Sequence, residues 1–223
     1  MENWESEVER NWENTPAPDP GPEADQPDPG GGKARKEASD GRDLYLNIRV
    51  LVIMMTAFVL MFTFVARIIV VSGPSMLDTL HNGDLILVWS LGYSPKQGDI
   101  VVVTQESYQE DSIVKRVIAT EGQTVDINYD TDTVYVDGTP LKEDYTKERM
   151  QIPTYGEGLN HVTVPEGCIF VMGDNRNHST DSRDTRLGPV KRGYLQGKAL
   201  LLLTPGKTPD TEKADWSRVG VVR

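Results

Sequence analysis

The hydrophobic pattern divides the chain into three textures. Val50 to Ala66 is an unbroken apolar run of seventeen residues without a charge, bounded by Arg49 and Arg67. With the flanking Leu46, Ile48, Ile68 and Ile69 included and the arginines snorkelling, a helix rising about 1.5 Å per residue crosses a hydrocarbon core roughly 30 Å thick. The pattern therefore predicts one transmembrane helix over 44–70. A cleavable leader is the rival reading of such a run, but the long polar stretch before it favours a retained anchor. Beyond the span the texture changes to short β-branched runs punctuated by Gly, Pro, Asn and Asp, which reads as an all-β domain over 71–223. Predicted strands include Leu85–Val88, Ile100–Val103, Ile113–Ile118 and Ala199–Leu203. Val125 and Ile127, then Val134 and Val136, alternate around Tyr129-Asp130-Thr131-Asp132 and predict a hairpin. A second hairpin is predicted between His161–Val164 and Cys168–Met172 across Pro165-Glu166-Gly167. Periodicity is lost from Lys142 to Asn160, suggesting a long loop, and 120–165 reads as an inserted hairpin or small subdomain.

Composition changes the picture mainly at the N-terminus. Residues 1–40 hold eleven acidic and four basic side chains and six of the fourteen prolines. A segment this acidic and proline-rich cannot bury enough apolar surface to order itself, so 1–43 is expected to be a disordered tail. Trp4 and Trp12 are either small anchors for a partner or incidental. The net charge of −11 argues against nucleic acid as a partner. Cys168 is the only cysteine, which excludes an intrachain disulfide and leaves no zinc-type cysteine spacing, so neither a metal nor another cofactor is expected. Lys33, Arg35, Lys36, Arg42 and Arg49 precede the span and only Arg67 follows closely. That asymmetry places the tail in the cytoplasm and the β domain on the outer face.

The candidate chemistry starts at Gly73-Pro74-Ser75-Met76, a turn shortly after the span. It is either a linker or the seat of a nucleophile, Ser75. A serine nucleophile needs a base, and the histidines are poorly placed: His81 sits in a Leu-His-Asn-Gly turn, His161 at a strand start, and His178 in a polar loop. A buried lysine is the other option. Lys115 lies inside an apolar strand in which Ile113, Lys115, Val117 and Ala119 share one face and Val114, Arg116 and Ile118 the other. Lowering a lysine from about 10.4 to about 7 costs roughly 4 to 5 kcal/mol, within the reach of an apolar site. The competing reading of Lys115 is an exposed charge that protects a sheet edge. Gly173 to Arg183 is a dense run of turn residues. Asp181 and Arg183 are spaced to brace one another, and Ser179 is within reach of exchanging a hydrogen bond with a neutral lysine.

Taken together these segments resemble the bacterial type I signal peptidases, or leader peptidases. Gly73-Pro74-Ser75-Met76 is similar to the nucleophile box, Gly98-Asp99-Ile100-Val101 to the next strand, Val114 to Ala119 to the general-base box, and Gly173 to Arg183 to the Gly-Asp-Asn-Arg…Ser-x-Asp-Ser-Arg box. Gly197-Lys198-Ala199 resembles the closing strand, and the tail lies outside the match. The resemblance implies a mainly β fold, an antiparallel catalytic sheet with a small inserted β subdomain. It implies a Ser-Lys serine endopeptidase in the cytoplasmic membrane of a bacterium, removing signal peptides from exported preproteins after small residues, with contact to the secretion translocon left open. By position, Ser75 is the nucleophile, Lys115 the general base and Ser179 its orienting partner, while Asp181 and Arg183 hold the loop. Met76, Leu80, Ile113 and Val114 flank the dyad and are either pocket walls or core. Two positions depart from the pattern: Gly73 stands where many members have a serine that donates to the oxyanion, and Asp78 stands where Pro is common. A carboxylate at 78 that approached Lys115 would favour its charged, inactive form. The rivals are a Ser-Lys maturation peptidase of the repressor type and a catalytically silent anchored scaffold of the same fold.

Overall fold

The computed structural model describes residues 31–104, 112–151, 158–208 and 213–222. The chain divides into two compact units, Met1–Met54 and Met55–Arg223. The expected disordered tail and its Trp4 and Trp12 lie, up to residue 30, outside the described residues. Helix α1 spans Gly31–Phe64, so it starts within the stretch predicted to be tail. Its segment Arg42–Phe64, 23 residues with mean hydropathy 2.1, is long and apolar enough to cross a membrane. Leu51, Ile53, Met54 and Phe58 are each more than half exposed along it.

The helix stops six residues before the predicted end of the span at 70. Ala66–Val70 is strand β1, paired in unbroken antiparallel register with β2 (Leu85–Trp89). The β-branched Ile68, Ile69 and Val70 thus serve the sheet and not the bilayer. Ser90, just after β2, receives the helix end: its N–H donates to the Val65 carbonyl at 3.0 Å, and its hydroxyl reaches the Phe64 carbonyl at 3.3 Å. Carbonyls that a helix terminus leaves without partners are satisfied this way.

The remaining strands are β3 (Ile100–Val103), β4 (Ile113–Thr120), β5 (Thr124–Asn128), β6 (Thr133–Val136), β7 (Thr139–Pro140), β8 (His161–Thr163), β9 (Cys168–Met172), β10 (Val190–Lys191), β11 (Leu195–Thr204) and β12 (Gly220–Val221). The large sheet runs β1-β2-β11-β3-β4-β9-β10, with β12 on β11, and the small sheet runs β7-β6-β5-β8. All pairings are antiparallel. The fold is therefore mainly β. The first predicted hairpin is present as β5–β6, its turn held by the Asn128 side chain, which accepts from the amides of Asp130 and Thr131.

The second predicted hairpin is not formed. β8 pairs with β5 in the small sheet, whereas β9 pairs with β4 in the large one, so Pro165-Glu166-Gly167 carries the chain between sheets. The two runs differ in burial: β9 is buried at all five positions, and β8 is exposed at both ends. A strand buried on both faces belongs inside a large sheet, not on a rim.

One apolar cluster joins the sheets, with Val125, Ile127, Val134 and Val136 of the small sheet against Ile118, Ala119, Phe170 and Met172 of the large one. Cys168 is buried in the same cluster as a free thiol. A second cluster, Val71, Met76, Leu80, Ile86, Val88, Ile100, Val102 and Val114 among others, fixes the turn after β1 onto the sheet. Phe170 is fully buried where the sheets meet, and its removal would leave a cavity that neither sheet can close. Phe170→Ala is expected to cost about 3 to 5 kcal/mol in chemical denaturation, against under about 0.5 kcal/mol for the exposed Val221→Ala.

Candidate active site

The turn carrying Ser75 is closed at its base. The amide of Val71 donates to the carbonyl of Asp84 at 2.8 Å, and that of Gly83 to the carbonyl of Val71 at 2.8 Å. Within it the Gly73 amide donates to Asn82 Oδ1, and Gly73 takes φ 89°, a conformation that L side chains rarely adopt. Met76 and Leu80 anchor the turn from beneath, each 1% exposed.

Lys115 comes from the interior of the large sheet, since β4 is flanked by β3 and β9. The lysine is 3% exposed, which excludes the edge-protection reading. Its Nζ donates to Ser75 Oγ at 2.8 Å and to the Val114 carbonyl at 3.0 Å. Burial is the main force on its ionisation and, with Arg183 acting in the same direction against the opposing Asp181 and Asp174, pushes its pKa down to about 8. The folded value lies below the unfolded one, so this group makes stability rise with pH between about 8 and the ordinary lysine value of 10.5.

Arg116, the next residue, points to different partners. Its guanidinium grips Asp174 through two bonds, Nε to Oδ1 at 2.8 Å and Nη2 to Oδ2 at 2.7 Å, donates to the Gly98 carbonyl, and lies 3.9 Å over the Tyr145 ring. Asp174 also accepts from the Thr79 hydroxyl at 2.6 Å, tying the nucleophile turn to the loop after β9. Asn175 adds two more ties, its amide to the Ser75 carbonyl at 3.0 Å and its side chain to the Pro74 carbonyl at 3.1 Å.

Asp181 and Arg183 form the predicted brace, with Nε to Oδ1 and Nη2 to Oδ2 both at 2.8 Å. Arg183 Nη2 also reaches the Arg176 carbonyl at 2.7 Å, and Asp181 Oδ2 accepts from the Gly173 amide at 3.0 Å. Burial alone would raise Asp181, but the Arg183 charge and hydrogen bond and the Gly173 amide outweigh it and hold the carboxyl below the usual range. Ser179 lies beside the dyad, and no hydrogen bond joins it to Lys115. Its hydroxyl is packed against Gly173, so closely that a Cβ on Gly173 would come within 2.3 Å of it.

Ser75 and Lys115 open onto a cleft of about 440 Å³ lined also by Ile69, Val70, Ser72, Ile113, Val114 and His178. Ile113 and Val114 are thus cleft walls. Met76 and Leu80 do not line it and belong to the core beneath, where they pack in the cluster with Val71, Ile86 and Val88. His178 shares the cleft, but Lys115 is the side chain hydrogen-bonded to Ser75 among the described residues. The Asp78 carboxylate is 70% exposed and lies 3.6 Å from Lys147, and it does not act on Lys115.

A scan of known families matches residues 45–204 to the signal peptidase family, peptidase S26. The chain belongs to this serine endopeptidase family. Among its relatives, a probable signal peptidase I-1 of Synechocystis sp. is 40% identical over 146 residues, covering 61% of this chain and 71% of the relative. A signal peptidase I of Mycobacterium tuberculosis is 35% identical over 225 residues, covering 77% and 73%. One from Bacillus licheniformis is 32% identical over 178 residues, covering 76% of this chain and 94% of that protein. This chain is an S26 peptidase, and the matched region contains all three segments that meet at the cleft.

Sequence reasoning missed the outer ring of this S26 site. Asp84, fully buried, accepts from the amides of His81 and Gly206 and pairs with Arg218, which also donates to the Thr79 carbonyl at 3.1 Å. In sequence Asp84 is an ordinary turn residue, and Arg218 is 134 residues away, so no local signal pairs them. Gly173 was legible only as a turn former. Its true constraint is that an added Cβ would stand 2.5 Å from the Ser75 carbonyl. Gly173→Ala is therefore expected to displace the nucleophile turn and lower kcat about a hundredfold, while a peptide substrate retains a KM within a few-fold. Steady-state kinetics on the purified variant checks both numbers.

Proposed function

We propose that the chain is a membrane-anchored signal-peptide peptidase in which Ser75 is the nucleophile and Lys115 the general base. The observation that carries this reading is the 2.8 Å contact between Lys115 Nζ and Ser75 Oγ, made by a lysine that is only 3% exposed. With a pKa of about 8, roughly a tenth of the lysine is neutral at pH 7.

Neutral Lys115 takes the Ser75 hydroxyl proton as Oγ adds to the scissile carbonyl of a bound preprotein. The Ser75 amide makes no hydrogen bond among the described residues and serves as an oxyanion donor. The Gly73 amide is engaged by Asn82, so the second donor is not that group. The lysinium then returns its proton to the leaving amine, leaving an ester on Ser75. Lys115 next deprotonates water, which attacks the ester, and the Ser75 oxygen recovers the proton. Ser179 acts by packing against Gly173, and Asp181 and Arg183 by holding the loop that carries it.

The cleft lies between Ile69 and Val70 at the end of the sheet's edge strand β1 and Ile113 and Val114 at the start of β4. An extended peptide fits there by strand addition, with small side chains admitted between these apolar walls. The helix Arg42–Phe64 anchors the protein, and the basic residues before it put the catalytic unit on the outer face of the membrane. Of the two hints toward a silent scaffold, Gly73 and Asp78, the second is turned toward Lys147.

Ser75→Ala and Lys115→Met are each expected to abolish cleavage of a preprotein with Ala one and three residues before the cut, and full activity in either would exclude the dyad. The acyl-enzyme trapped by mass spectrometry should map to Ser75. In wild type, kcat/KM should rise about tenfold per pH unit up to about pH 8 and level off above, as Lys115 loses its proton. A profile that stays flat down to pH 5 would exclude a lysine base.

A further inference from the structure

We propose that a second cavity, lined by Arg67, Ser90, Thr104, Tyr194 and Gln196, binds the phosphate of a membrane phospholipid; this rests on the membrane anchor proposed above. The cavity holds about 460 Å³ and shares no lining residue with the catalytic cleft. Its side chains are a cation, four hydrogen-bonding groups and Leu195, with no carboxylate among the described lining residues, in a chain whose net charge is −11. Arg67 has no ion pair or side-chain hydrogen bond among the described residues. A guanidinium with no carboxylate partner among the described residues, beside hydroxyl and amide groups, is suited to the oxygens of a phosphodiester.

The position of the cavity selects a lipid as the source of that phosphate. Arg67 is three residues beyond the helix end at Phe64, a reach of at most about 10 Å. Ser90, on the cavity wall, is bonded directly to the Phe64 and Val65 carbonyls. If the apolar helix fills the hydrocarbon core, this cavity falls in the headgroup layer. Trp89 and Tyr194, each 39% exposed, and Leu91, 58% exposed, supply the amphipathic and apolar side chains that partition to that layer. The walls are preorganised, since the Gln196 amide donates to both Thr104 Oγ1 and Ser112 Oγ. Arg67 is the second residue of β1, and Ile69 and Val70 end that strand against the cleft, so a held headgroup sets the height of the catalytic cleft above the bilayer.

The test uses the full chain in detergent, native mass spectrometry, and three probes: phosphatidylglycerol, diacylglycerol with the same acyl chains, and inorganic phosphate. Wild type is expected to retain one phosphatidylglycerol and no diacylglycerol, and Arg67→Gln to retain about tenfold less, as for the loss of a charge-assisted bond. Equal retention by Arg67→Gln would overturn the site. Inorganic phosphate binding as tightly as the lipid would assign the cavity to a free anion and overturn the lipid reading. Flotation on phosphatidylcholine vesicles separates the two levels. Wild type that does not float removes the anchor and the headgroup site with it, whereas floating proteins with equal lipid retention remove the headgroup site alone.

Discussion

Keeping one lysine out of water is the constraint on which this site depends. Lys115 sits in the interior of an eight-stranded sheet, where a charged ammonium loses its hydration and the neutral amine is favoured. Two buried carboxylates, Asp174 and Asp181, stand close enough to oppose that effect. Each is engaged by an arginine instead, Asp174 by Arg116 and Asp181 by Arg183. The four charges form two ion pairs and leave the lysine without a carboxylate of its own. An isolated acid at either place would favour the protonated form of Lys115.

The same ion pairs organise the backbone around Ser75. Asp174 reaches forward to Thr79, four residues after Ser75, and Asp181 reaches the Gly173 amide, beside the Ser75 carbonyl. Asn175 binds the carbonyls of Pro74 and Ser75. The turn is thereby fixed by groups from the opposite side of the cleft, while Met76 and Leu80 seat it in the core. A serine oxygen must be held within tenths of an ångström of its base for proton transfer, and tight turns alone do not supply that rigidity.

Several elements were legible because their signals are local. The uncharged run between Arg49 and Arg67, the β-branched runs, the Asn128–Asp132 turn and the Asp181–Arg183 spacing each depend on residues near one another in the chain. The misreadings involve long-range competition. Ile68 and Ile69 are apolar enough for a bilayer, but Leu85–Trp89 offered a complete antiparallel partner. The Pro165-Glu166-Gly167 segment reads as a hairpin turn, yet β9 is drawn into the large sheet by burial on both faces and β8 stays with β5. Met76 and Leu80 are as apolar as Ile113 and Val114, and only packing separates core from cleft wall.

By itself, the sequence determined the mainly β character and the apolar helix, because those follow from hydrophobic period, turn chemistry and residue type, and it offered candidate site residues through the boxes that resemble those of the signal peptidases. It left undecided whether Lys115 was exposed or buried, since an alternating strand presents one face outward and one inward without saying which. Tertiary structure made that choice by placing β4 between β3 and β9 and bringing Ser75 to within 2.8 Å from forty residues away. It also paired Asp84 with Arg218 and pressed Gly173 against the nucleophile turn, contacts created by sheet order. Desolvation and close approach are properties of the packed chain, and no local pattern encodes their magnitude.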